Sequence, residues 1–143
     1  MNRYTHKAKL KNSNTWVYGA YLKMLPYTPN PVGHTHISET EYKHLIITEG
    51  FSDWGLPRDI AAYEILPETV CQCLGVKDID NNYIFEGDLI KVKDHNLCRS
   101  EIVYQVVWSS SYCQFLFRNN EDGVCLDFMD VYEPKIVGNI YDK

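Results

Sequence analysis

Apolar and polar residues alternate in short bursts along this chain, and the period is closer to two than to 3.6. Trp16, Tyr18, Ala20 and Leu22 share one face of an extended run from Trp16 to Leu22. The turn formers Asn12, Ser13 and Asn14 separate that run from Lys7–Leu10, which predicts a hairpin. His44–Thr48 predicts a short strand closed by Gly50, Phe51–Arg58 a loop, and Ala62–Leu66 another strand. Beyond Pro67 the pattern tightens. Thr69–Leu74, Asp88–Val92, Glu101–Trp108, Cys113–Phe117 and Lys135–Ile140 are strands divided by turn clusters, at the spacing of a small barrel or sandwich. No window sustains a helical stripe over two turns. Helical turns are expected only near Ser38–Tyr42, where Ser38-Glu39-Thr40-Glu41 has the form of a capping box, and near Asp127–Tyr132.

The predicted fold is therefore all-β. It is read as one domain over residues 1–143, with an N-terminal lobe of about 1–66 and a barrel-like C-terminal lobe of about 67–143. Residues 26–36 hold three prolines and a glycine, which excludes a central strand there and marks an irregular connection.

Composition adds compartment and partner class. Runs such as Ile60–Tyr63 are far too short to cross a bilayer, and the basic start of the chain has no apolar stretch of the secretory kind, so a cytoplasmic protein with no membrane partner is expected. Five cysteines, an odd number, favour free thiols in a reducing compartment over a disulfide framework. A net charge of −5 argues against nucleic acid as the main partner. The basic residues are nonetheless uneven, with Arg3, Lys7, Lys9 and Lys11 in a stretch that has no acidic side chain.

The densest polar stretch is Gly75–Val92, written GVKDIDNNYIFEGDLIKV. A calcium loop counted from Asp78 would need glycine at its sixth position and glutamate at its twelfth, and those positions hold Tyr83 and Leu89. A corner between strands explains the residues better: Asp80, Asn81 and Asn82 suit a left-handed turn, and Glu86-Gly87-Asp88 turns the chain into the next strand. The Asp88 carboxylate is expected to accept backbone N–H groups there.

Ile84-Phe85-Glu86-Gly87-Asp88-Leu89-Ile90 after Gly75-Val76-Lys77-Asp78, together with the closing Ile136-Val137-Gly138-Asn139-Ile140-Tyr141, resembles the YopX family of bacterial and prophage proteins. Trp16-Val17-Tyr18-Gly19 and Pro67-Glu68-Thr69-Val70 fit the same pattern. Val76 stands where leucine is usual and Asn81 where glycine is common. The resemblance implies an all-β fold with an SH3-like or barrel-like C-terminal part and a phage or prophage setting. It implies no reaction and no catalytic residue.

Other constellations favour structural readings. His34 and His36 near Glu39 and Glu41 offer metal-ligand chemistry from a loop, but such histidines are more often solvated. Cys71 and Cys73, with Cys98, Cys113 or Cys125, offer thiolates, yet C-x-C is not the knuckle spacing of zinc sites, and buried cysteine as a small hydrophobe is favoured. Ser109–Ser111 reads as a hairpin turn without a nucleophile elbow. Tyr104, Trp108, Tyr112, Phe115 and Phe117 are mainly core, since alternation turns several of them inward. No catalytic, cofactor or metal residue is assigned, and no cofactor is expected. The first functional reading is a non-enzymatic module that binds a protein partner or itself, as a homo-oligomer. The alternative is a nucleic-acid-binding β-barrel using the basic hairpin and exposed aromatics.

Overall fold

A computed structural model of the chain describes residues 3–30, 32–33, 36–93 and 101–142. Strand accounts for 50% and helical turns for 7%, so the all-β expectation holds. Every strand pairing given below is antiparallel. The residues cluster into two compact units, Thr5–Val70 and a second one built from the remainder of the chain.

The first unit contains β1 (His6–Lys9), β2 (Trp16–Met24), β3 (Lys43–Glu49) and β4 (Ile60–Glu64), ordered β4-β3-β2-β1. The expected hairpin is present, with Lys7 opposite Tyr18 and Lys9 opposite Trp16. β2 runs past β1 to pair with β3, Ala20 facing Ile47 and Leu22 facing Leu45. Gly19 sits at that handover for a steric reason: a Cβ there would lie 2.2 Å from the Ile47 carbonyl oxygen, so only glycine lets the strands meet. The inner face packs Ala8, Ile46 and Ile65 together with Val17, Tyr21 and Val70. At one end the chain after β1 returns to the chain after β4. Leu10 bridges Ile65, the Lys11 N–H donates to the Glu64 carbonyl (3.1 Å), and the Leu66 N–H donates to the Lys9 carbonyl (2.9 Å).

Ser38 caps a single 3-10 turn at Glu39–Glu41 through a full capping box, as its spacing predicts: the Thr40 N–H donates to Ser38 Oγ, and the Ser38 N–H donates to Glu41 Oε1 at 3.0 Å. The strand expected to begin at Thr69 begins instead at Cys71. Pro67–Thr69 is a 3-10 turn, and the Thr69 hydroxyl explains it by donating to the Leu66 carbonyl (2.7 Å) while accepting the Lys9 N–H (2.9 Å).

The second unit contains β5 (Cys71–Lys77) paired with β6 (Tyr83–Phe85), and a five-stranded sheet in which β7 (Asp88–Lys93), β8 (Glu101–Ser109), β9 (Gln114–Asn119), β10 (Cys125–Leu126) and β11 (Lys135–Asn139) follow the order β10-β9-β8-β7-β11. Closure into a barrel is not seen among the described residues. Tyr104 and Val106 of β8, Ile90 and Val92 of β7, Ile84 and Phe117 form the core, with Phe128 of the 3-10 turn Phe128–Asp130 packed on Phe117. Trp108 continues the Tyr104 and Val106 face to the end of β8, where it meets Phe115 edge to face at 5.0 Å. Two short strands escaped the sequence reading. β6 lies inside the polar corner, and β10 has only two residues, too few for alternation to register.

Candidate functional site

The corner is built from backbone hydrogen bonds. Asp78 Oδ1 accepts from the N–H groups of Asp80 (3.0 Å) and Asn82 (2.8 Å), while its Oδ2 accepts from Ile136 at 3.2 Å. Asn81 takes the left-handed conformation, φ 67°, that lets the chain reverse. Both oxygens of Asp78 are thus filled by donors, which leaves it serving the turn. Asp88, buried to 1% exposure, accepts the Phe85 N–H at Oδ2 (2.8 Å), as expected from its place after Gly87.

The other oxygen of Asp88 joins the two motifs. Asn139 Nδ2 donates to Asp88 Oδ1 at 2.9 Å, and Asn139 Oδ1 accepts the Tyr141 N–H at 3.0 Å. Gly87, at φ 76°, donates its N–H to the Val106 carbonyl and accepts the Ile140 N–H, and a Cβ on it would lie 3.3 Å from the Ile140 side chain. Glu86-Gly87-Asp88 and Gly138-Asn139-Ile140 are therefore two halves of one lock in the second unit, with Asp88 and Asn139 buried at its centre. The sequence placed these residues in recurring motifs but gave no sign of this pairing, because 51 residues separate Asp88 from Asn139.

The residues weighed for metal chemistry are not brought together. Cys71 and Cys73 are buried on β5, Cys113 is exposed at a turn and Cys125 on β10, and Cys98 lies outside the described residues. His36 is exposed, and His34 also lies outside the described residues. Among the described residues no group of three His, Cys, Asp or Glu side chains is arranged to hold a metal.

The first unit carries an open cleft of about 520 Å³, lined among others by Lys11, Glu39, Tyr42, His44, Glu64 and Leu66. Its ionic groups are already engaged. Lys11 Nζ meets Glu64 at 2.5 Å, Lys23 Nζ meets Glu39 at 2.6 Å, and the Tyr21 hydroxyl lies 2.6 Å from His44 Nδ1. The two lysines hold the Glu64 and Glu39 carboxyls below the usual carboxylate range, so both carboxylates stay ionised and paired. Neither Glu39 nor Glu64 is thus kept protonated for acid catalysis.

The outer face of the same sheet, which Glu64 shares at its edge as the cross-strand partner of Leu45, is otherwise chemically different. Alternation puts Ala20, Leu22 and Met24 of β2, Leu45 and Ile47 of β3, and Ile60 and Ala62 of β4 side by side on the face away from the Ile46 and Ile65 core. Ile60 is 78% exposed, Leu22 and Met24 are exposed too, and Leu45 and Ile47 are half-buried. The loop after β3 adds Phe51 and Trp54, the latter fully exposed. The sequence did place Ala20 and Leu22 on one face. It could not say that the neighbouring strands would continue the apolar row, since that depends on register.

These features define an all-β protein whose recurring motifs serve the fold and whose apolar surface lies in the other unit. The family model for YopX protein matches residues 6–143, and the chain belongs to the YopX family. No curated protein matches it. Among the described residues no helix is long and apolar enough to cross a membrane.

Proposed function

We propose that the chain is a non-enzymatic protein-interaction or assembly module that works in the cytoplasm. The resemblance of its motifs to bacterial and prophage proteins supports a phage-type setting. The observation that carries the reading is the apolar outer face of the β2-β3-β4 sheet. A sheet that buries one face normally shows polar residues on the other, and here three adjacent strands show an apolar centre with the charged Lys43, Glu49 and Glu64 confined to its ends. Against this, the nucleic-acid alternative loses its main cations: Lys7 and Lys9 are 8% and 3% exposed, and both ammonium groups sit over the Trp16 ring, at 4.9 and 5.1 Å.

The reading is tested with a photo-cross-linking residue at Ala62 and, as a control, at the exposed Glu121. Irradiation in the protein's own cells is expected to give a discrete protein adduct from position 62 only, and Ile60→Lys in the same chain should abolish it. Equal labelling at both positions, or none, would refute the reading.

A further inference from the structure

We infer that the occupant of the apolar face is a second copy of this chain, stacked face to face about a two-fold axis. This rests on the interaction reading and names its partner. Strand addition is a poor alternative. His44–Thr48 belongs to the inner strand β3, held by β2 and β4. The true edge of the unit, β4, is covered at its far end, where the Glu64 carbonyl accepts the Lys11 N–H, so only the stretch around Ile60–Ala62 is open. Two or three residues offer too few ladder bonds to fix a partner.

The face, by contrast, is self-complementary. Along β3 its outward residues run Lys43, Leu45, Ile47, Glu49: a cation, two apolar side chains, an anion. Aligned sheets stack about 10 Å apart with their strands within about 30° of one another. A two-fold axis perpendicular to β3 reverses the strand, so each Lys43 lies over the partner's Glu49 and each Leu45 over the partner's Ile47. Parallel stacking would set lysine over lysine. Glu49 already holds Arg58, and both side chains are exposed, so Lys43 joins an existing pair and serves register more than affinity. The loop that carries Phe51 and Trp54 leaves β3 at Glu49 and so falls beside the partner's Lys43 end. There its rings would add the apolar area that a sheet face of seven side chains lacks.

The test uses the whole chain in sedimentation equilibrium. Wild type is expected at twice 16.7 kDa. Lys43→Glu and Glu49→Lys should each raise the dimer dissociation constant about tenfold, because two contacts per dimer change from attraction to repulsion. An equimolar mixture of the two variants should recover wild-type affinity, since every contact across that heterodimer is again opposite in charge. Circular dichroism identical to wild type checks that the variants fold. A wild-type mass of one chain at high concentration overturns the inference, as does a dimer indifferent to both swaps or a mixture that does no better than its components. If the chain is monomeric and the Ala62 adduct still forms with another protein, this inference fails while the interaction reading stands.

Discussion

Asp88 shows how a single carboxylate can hold a family signature together. At 1% exposure, and with donors from the Phe85 backbone and Asn139 Nδ2, its removal takes an acceptor away from two buried donors. Each unmet buried donor costs about 1–3 kcal/mol, so Asp88→Ala is expected to lose about 2–5 kcal/mol in urea unfolding. Asn139→Ala should cost less. Because the two side chains share one bond, the double variant should fall short of the sum by about 1 kcal/mol, and strict additivity would show that the lock is not a unit. Beside them, burial raises the Glu86 carboxyl above its ordinary 4.5, partly offset by a hydrogen bond with the Gln72 backbone. A raised carboxyl favours the folded state when protonated. Its contribution is full below pH 4.5 and is lost as pH rises through the raised value. Glu86→Gln should therefore melt higher than wild type at pH 7, and the gap should close toward pH 4. A constant gap would point to packing instead of charge.

At the scale of elements, alternation made strands legible wherever one face is buried and the other is not. β2, β7 and β8 were found within a few residues for that reason. The signal failed where turn chemistry overrode it, as at Pro67–Thr69, and where pairing partners lie far apart, as with β6 and the Asp78 bond to Ile136. The candidate surface was less legible than the fold, since an apolar residue reads the same whether its neighbours across the sheet are apolar or polar. Glycines show the same limit. Gly19 and Gly138 both fall in motif-like segments, yet a Cβ on Gly19 would collide with the Ile47 carbonyl whereas one on Gly138 would meet nothing within 4 Å. Gly19→Ala is expected to cost about 1–3 kcal/mol by forcing β2 and β3 apart, and Gly138→Ala to stay within about 0.5 kcal/mol of wild type. Thermal unfolding of the pair checks this, and equal losses would mean that the bulge between Ile136 and Gly138 is the more sensitive element.

For the whole molecule, charge bears on the choice between the two proposed classes of partner. Fourteen basic residues face nineteen acidic ones, and two of the four cations near the start of the chain are buried against Trp16. The aromatic row that would have to stack bases is mostly taken up by packing, with Phe117 and Tyr104 in the core and Trp108 touching Phe115, which leaves Tyr112 and part of Trp108 exposed. A protein that binds single strands needs both a cationic track and open rings, and its affinity falls steeply as salt displaces it from phosphate. Fluorescence anisotropy with labelled single-stranded and duplex oligonucleotides should therefore show no binding at about 50 mM salt, where any phosphate contact is strongest. Binding there that weakens by about a thousandfold toward 200 mM would reveal several phosphate contacts and restore the nucleic-acid reading. Binding with a flat salt response would instead implicate exposed rings such as Tyr112, and a Tyr112→Ala variant that lost it would confirm that route.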